Sequence, residues 1–78
     1  MAELQDILHD IAAAIVDTPD EVKVTREEDD DTITLTLSVA PDDMGMVIGR
    51  HGRISKAIRT VMKAAAVPTG KKVNVDIR

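Results

Sequence analysis

The chain has 78 residues, with no cysteine and no aromatic residue, and its 14 acidic and 10 basic side chains give a net charge of −4. A chain of this length can bury one small core, so we expect a single domain over residues 1–78. The lack of cysteine excludes a disulfide framework and thiolate zinc sites, which favours an intracellular, cytoplasmic protein.

The charges divide the chain into two opposed parts. Residues 1–46 carry 13 acidic and 2 basic residues, a balance of −11, whereas residues 47–78 carry 8 basic and 1 acidic residue, a balance of +7. Because physiological salt screens surface charges over about 8 Å, a basic face can attract an anion even when the whole chain is acidic. The distribution therefore permits an anionic partner.

The first forty residues predict a helix followed by a hairpin. In ELQDILHDIAAAIVD the apolar residues recur every three or four positions, which is typical of an amphipathic helix. Its IAAAIV run is too short to span a membrane, and Pro19 in the turn DTPDE prevents the helix from continuing. Apolar and polar residues then alternate in VKVTREE and TITLTLSVA, which predicts two strands joined through EEDDD with one buried face.

The remaining residues predict two helices around a glycine loop, and then a strand. Pro41 followed by two aspartates is a helix-start pattern, so a short helix should cover about residues 42–48. Gly49 and Gly52 interrupt the helical pattern, which resumes at Arg53. In this longer helix we expect one apolar face (Ile54, Ala57, Ile58, Val61, Met62 and Ala65) opposite one cationic face (Arg53, Lys56, Arg59 and Lys63). PTGKK is a turn and VNVDI a last strand, which gives the order α-β-β-α-α-β.

The glycine loop is the candidate binding site. The first amides of a helix have no intrahelical partners and lie at the positive end of the helix dipole, so they suit an anion. Arg50 and His51 stand between the glycines, with cations following, and this combination has the chemistry of a phosphate contact. The simpler interpretation is that the glycines only cap and turn the chain and that the cations form a solvated face. The position of all four helix cations on the side next to the loop favours binding.

The sequence VIGRHGRI resembles the signature of KH domains, in which a GxxG loop between two helices clamps the backbone of single-stranded RNA or DNA. The longer stretch PDDMGMVIGRHGRISKAIRTVMKAAA, with the total length, is similar to the small single-KH-domain RNA-binding proteins of bacteria, the KhpA family. This resemblance implies an α+β fold of the type II KH arrangement, with a three-stranded mixed sheet packed on one side by three helices. It also implies an RNA-binding set consisting of Gly49, Arg50, His51, Gly52, Arg53 and Lys56. Met46 stands where such proteins often have a basic residue.

The composition also limits how bases could be held. Without aromatic residues the chain cannot stack bases on rings, as RRM domains and most OB-folds do. A KH groove can use aliphatic walls instead, and Val47, Ile48 and Ile54 are the candidate wall residues. We expect weak binding by one domain, because a clamp on about three phosphates predicts a log–log salt slope of only roughly −2.

The expected function is therefore non-catalytic RNA binding, as an RNA chaperone or post-transcriptional regulator. The resemblance implies a homodimer, or a heterodimer with a larger RNA-binding protein that carries its own KH-type domain, and a second binding unit would raise the affinity. The alternative is a KH-shaped protein-interaction or assembly subunit with little RNA binding of its own. We expect no catalytic residue, metal or cofactor, since EEDDD lacks the glycine and distal glutamate of an EF-hand and TGKK lacks the upstream glycine of a P-loop.

Overall fold

The computed structural model describes residues 3–78. Its helices and strands are α1 (Leu4–Ile15), β1 (Lys23–Glu28), β2 (Thr32–Ser38), α2 (Met44–Ile48), α3 (Arg53–Ala65) and β3 (Lys72–Ile77). This is the predicted order α-β-β-α-α-β. The helix expected over residues 42–48 begins as a 3₁₀ turn at Pro41–Asp43 and is α-helical only from Met44. Within residues 3–78, none of the helices combines the length and apolar character that crossing a bilayer requires.

The three strands form one mixed sheet in the order β1-β2-β3, as predicted. β1 is antiparallel to β2, and β3 is parallel to β2, with Leu35 opposite Arg26 on one side and Val75 on the other. Side chains alternate between the two faces of a strand. Ile33 and Leu37 therefore point with Leu35 into the core, whereas the threonines between them are partly exposed on the opposite face.

An apolar core fills the space between the sheet and the helices. α1 lies against β1 and β2, α3 lies against β3, and α2 packs on both other helices. Each helix contributes buried aliphatic side chains, among them Leu8 from α1, Val47 from α2, and Ile58 and Met62 from α3. Burying one such side chain stabilises the fold by about 1.5–3 kcal/mol, so this aliphatic core holds the loop between α2 and α3 in a fixed place.

The packing of α3 differs from the predicted helix with two faces. Ile54 and Val61, which were expected on the buried face, are 38% and 48% exposed, whereas Ser55 is buried beside Ile58 and Met62. Burial of Ser55 costs little because its hydroxyl donates to the carbonyl oxygen of Gly52 at 3.0 Å. Helix α3 therefore has three faces, of which one is buried, one cationic and one apolar but exposed.

A buried carboxylate fixes the start of α2. Asp43 is 2% exposed, and its Oδ2 accepts a hydrogen bond from the backbone N–H of Thr18 at 2.9 Å. Thr18 lies in the turn after α1, so this bond ties that turn to the segment that leads into α2. A hydrogen bond to a charged group contributes about 1.5–3 kcal/mol, and it helps to set the direction in which α2 approaches the glycine loop.

A network of charged side chains joins the far end of the hairpin to the turn before β3. The carboxylate of Glu28 accepts hydrogen bonds from Lys71 and Arg26, and these bonds lower the pKa of Glu28. The carboxylate of Asp29 accepts backbone N–H bonds from Asp31 and Thr32, which lower its pKa as well. A carboxyl group with a lowered pKa stabilises the folded state above its unfolded pKa of about 4, and that stabilisation is lost as the pH falls through the folded pKa.

We therefore expect Glu28→Gln to reduce the acid sensitivity of the fold. The free energy of unfolding of the original protein should fall between about pH 5 and pH 3, and that of the variant should fall less steeply over the same range. Urea unfolding at several pH values measures both slopes. Glu27→Gln is the matched control, because Glu27 lies next to Glu28 on β1 and is exposed without an ion pair among the described residues. Equal slopes for Glu28→Gln and the original protein would contradict this account of the network.

Candidate nucleic-acid interface

The loop between α2 and α3 requires glycine at its first position. Gly49 has φ 75° and ψ 175°, a conformation that is essentially restricted to glycine. Its N–H donates to the carbonyl oxygen of Gly45 at 2.8 Å and closes α2. A Cβ atom at Gly49 would lie 2.4 Å from Cγ1 of Ile54 and 3.0 Å from its backbone nitrogen. The chain can therefore turn this closely onto the start of α3 only without a side chain at residue 49.

The tip of the loop is tight and presents one arginine and one histidine side chain. His51 has φ 59° and ψ 24°, and Gly52 has φ 73° and ψ 17°, so two successive residues are left-handed. The N–H of Gly52 donates to the carbonyl oxygen of Gly49 at 3.2 Å, which closes the turn. Arg50 and His51 are exposed, as the phosphate-contact prediction requires. No side chain caps the amino end of α3, and the backbone N–H of Arg53 donates to the carbonyl oxygen of Arg50 within the turn.

The cationic side of α3 continues from the loop. Four exposed side chains belong to it, namely Arg53, Lys56, Arg59 and Lys63. Within residues 3–78 the ion pairs involve only Arg26 and Lys71 as cations, and the remaining close pair joins the ring of His9 to Asp10. The positive charges of the loop and of α3 are therefore not neutralised by the acidic residues of the first half, and they remain available to an anion.

A cleft of about 620 Å³ lies between this side of α3 and the free edge of β3. The helix contributes Lys56, Arg59 and Lys63, and the strand contributes its segment 73–76. Arg59 crosses the cleft, because its Nε donates to the carbonyl oxygen of Val75 at 3.2 Å. A second hollow of about 540 Å³ shares Lys63 with the first and extends past Val67 towards the turn before β3. Together they form a continuous groove with a cationic wall.

The structure separates the predicted site residues into two groups. The loop residues 49–52 are adjacent to Arg53 and Lys56, and all the cations among them are exposed. Val47 has no exposed surface and belongs to the core, so the expectation that it lines a groove is wrong. Ile48 and Ile54 are each 38% exposed, but neither lines the cleft between α3 and β3.

Sequence reasoning missed the strand side of the groove. Asn74 and Asp76 line the cleft, and Arg59 and Lys63 were assigned only to a helix face. The signal that was present is the alternation in VNVDI, which turns Asn74 and Asp76 to the face opposite the core. The position of β3 beside α3 could not be read from that alternation, since it depends on the topology of the sheet.

Comparison with known proteins identifies the family. A model of the KhpA/KhpB KH domain matches residues 5–77. The chain belongs to the KhpA/KhpB family of KH domains. RNA-binding protein KhpA of Clostridium acetobutylicum is 54% identical over 74 residues, which cover 95% of this chain and 99% of the relative. RNA-binding protein KhpA of Bacillus subtilis is 49% identical over 74 residues, which cover 95% and 91% of the two chains.

Solved structures show that the KhpA/KhpB domain shares its fold with part of a larger protein. Era of Aquifex aeolicus, bound to GDP and AlF4−, superimposes on 95% of this chain with a TM-score of 0.70 at 16% identity. Era in complex with MgGDPNP and nucleotides 1506–1542 of 16S ribosomal RNA gives a TM-score of 0.71, also at 16% identity. The present chain spans 29% and 28% of these Era chains, and at this identity the likeness concerns the fold.

Proposed function

We propose that residues 1–78 form a single, non-catalytic KH domain that grips the backbone of single-stranded RNA through loop 49–52. The observation that carries this proposal is the combination of a glycine-dependent turn with exposed cations that have no acidic partners among residues 3–78. The printed names of its relatives, RNA-binding protein KhpA, support it. The solved complex of Era with ribosomal RNA also supports it, because this chain shares the fold of 28% of that Era chain.

The loop would act on phosphate rather than on bases. Arg50 and His51 reach outward from the turn, and Arg53 and Lys56 follow within the first turn of α3. The amino end of α3 lies beside these side chains and adds the favourable end of the helix dipole. Phosphate contacts of this kind position a strand but carry no sequence information directly, so the loop by itself should bind many RNAs with similar, modest affinity.

We further propose that the protein works as a homodimer or with a larger KH-containing RNA-binding partner in the cytoplasm, as an RNA chaperone or post-transcriptional regulator. Exposed aliphatic side chains support association, among them Met46, Ile48, Ile54 and Val61. Ile54 and Val61 lie on the third, uncovered face of α3. A second RNA-binding unit would multiply a weak affinity by 10²–10⁴, roughly as effective-concentration arithmetic allows.

The test replaces Arg50 and His51 at the tip. Arg50→Asp with His51→Asp should weaken binding of a short single-stranded RNA by at least about tenfold, because each aspartate repels phosphate where a donor stood. Filter retention with a labelled oligonucleotide measures the affinity, and circular dichroism shows that the variant is folded. Lys23→Asp is the control, since Lys23 is exposed on β1 and takes no part in the loop. Unchanged RNA affinity in the double variant would refute the loop as the site.

The same double variant distinguishes RNA binding from the alternative function as an assembly subunit. If the protein is an assembly subunit, sedimentation should show equal self-association for the original and the double variant, and the original protein should have no measurable RNA affinity. The exposed apolar face of α3 is the observation that favours this alternative. RNA affinity that depends on Arg50 and His51 would instead make RNA binding the function of this surface.

A further inference from the structure

The outer edge of β1 has no partner strand. β1 comes first in the sheet order β1-β2-β3, and within residues 3–78 no strand lies beyond it. The N–H of Asp29 donates to the carbonyl oxygen of Thr32 across the hairpin. Because backbone groups alternate in direction along an antiparallel strand, Glu27 and Thr25 also face β2. The β1 residues whose N–H and C=O groups point outward are therefore Val24, Arg26 and Glu28.

This row of outward backbone groups is open to another strand. At the opposite edge of the sheet, Arg59 donates to the carbonyl oxygen of Val75. Among residues 3–78 no side chain donates to the backbone of the outward residues of β1 in a comparable way. β1 contains no proline, and its continuous register with β2 leaves no bulge. Since these usual obstacles to strand pairing are missing, the charges along the edge decide which strands can pair with it.

Acidic side chains lie at both ends of the free edge. Asp20 and Glu21 line a hollow of about 350 Å³ beside the start of β1. Glu27 and Glu28 line a smaller hollow of about 140 Å³ at the other end, next to the hairpin. Asp20, Glu21 and Glu27 are exposed and take part in no ion pair within residues 3–78. The edge therefore combines unpaired backbone groups with uncompensated negative charge.

The charges favour one class of occupant. The guanidinium of Arg26 is already held by Glu3 and Glu28, which leaves Lys23 as the cation of β1 without an acidic partner among residues 3–78. A second copy of this chain would bring its own acidic half, residues 1–46 with a balance of −11, to the same edge, and facing like charges are destabilising. RNA is repelled by the same carboxylates. A positively charged protein strand meets neither obstacle.

We propose that the free edge of β1 binds an extended segment of another protein, rich in lysine or arginine, as a fourth strand of the sheet. Main-chain bonds to Val24, Arg26 and Glu28 give the affinity, and the carboxylates select the positive charge. β2 separates this edge from β3, so loop 49–52 and the groove beside α3 stay free. The acidic half of the chain, which RNA binding leaves without a role, is then a protein-binding surface.

The probe is a nine-residue peptide in which lysine and valine alternate. With saturating peptide, the backbone amides of Val24, Arg26 and Glu28 should exchange their hydrogen at least about fivefold more slowly, as measured by NMR. The amides of Thr25 and Glu27, which already bond to β2, are the internal reference. A peptide with glutamate in place of lysine should bind at least about tenfold more weakly, because it meets the carboxylates of the edge.

Two protein variants separate binding at the edge from general attraction. Glu27→Lys should weaken binding of the lysine peptide at least about threefold. Asp76→Lys makes the same change of charge on β3, two strands away, and should weaken it less than about 1.5-fold, because salt screens the distant charge.

Two modified peptides test the main-chain bonds. One carries a methyl group on every valine nitrogen and the other on every lysine nitrogen. Since alternate N–H groups of a strand point to opposite edges, only one of the two should lose binding. Failure of the lysine peptide to bind, equal losses in Glu27→Lys and Asp76→Lys, or unchanged exchange at the three amides would overturn the proposal. Self-association that protects these amides without peptide would overturn it as well, since the occupant would then be a second copy.

Discussion

Gly49→Ala should destabilise the protein by about 2–5 kcal/mol, because backbone strain and a steric clash act at the same residue. The φ of 75° with ψ of 175° is unfavourable for any side chain. The new Cβ would in addition lie 2.4 Å from Cγ1 and 2.9 Å from Cβ of Ile54. Both atoms are close to the backbone of α3, so relief requires the helix itself to move away from the loop.

Urea unfolding measures this effect, and two other glycines provide graded controls. Gly70 has φ 71°, and a Cβ added there would meet no atom within 4 Å, so Gly70→Ala should cost only about 1–2 kcal/mol from the left-handed backbone. Gly52 has a similar φ and only the Ser55 hydroxyl at 3.7 Å, so its alanine variant should resemble that of Gly70. Equal unfolding midpoints for Gly49→Ala and Gly70→Ala would show that the contact with Ile54 does not constrain the loop.

The order of the elements could be predicted because the hydrophobic period changes clearly along the chain. Before Pro19 the apolar residues are three or four positions apart, which fits only a helix. The strict alternation in TITLTLSVA fits only a strand. The glycines at 49 and 52 marked the loop for a local reason, since both have positive φ in the structure. The type of each element and the position of the glycine loop depend on residues that are close in sequence, and the structure places them at the predicted positions.

The orientation of α3 depended on information that periodicity does not contain. Apolar residues cover more than one face of this helix, and the pattern does not say which face meets the sheet. In the structure the buried face consists of Ser55, Ile58 and Met62, whereas Val61 is nearly half exposed. Burial of Ser55 is possible only because its hydroxyl finds the carbonyl oxygen of Gly52, a contact that exists once the loop has formed.

The groove between α3 and β3 could not be predicted from the sequence, because it also depends on tertiary structure. Arg59 and Val75 are 16 positions apart, and their hydrogen bond requires β3 to be an edge strand next to α3. Parallel pairing of β3 with β2 produces that position. A helix cation therefore changes its role from a solvated charge to an anchored donor through tertiary structure alone.

Leu35→Ala is expected to remove a large part of the stability of this small protein. Leu35 has no exposed surface and lies at the centre of the middle strand, opposite Val75 of β3. Leucine-to-alanine changes in cores cost about 2–5 kcal/mol through lost burial and the cavity that remains, and a domain of this size has roughly 4–12 kcal/mol in total. The cavity would lie beneath β2, next to Val75 of β3, whose carbonyl oxygen holds Arg59.

Thermal unfolding followed by circular dichroism should show a melting temperature lower by more than about 10 °C. Thr36→Ala is the control, because Thr36 follows Leu35 on β2 but faces the side without helices, so its replacement should cost less than about 1 kcal/mol. Equal melting temperatures for Leu35→Ala and Thr36→Ala would contradict the central place of Leu35 in the core.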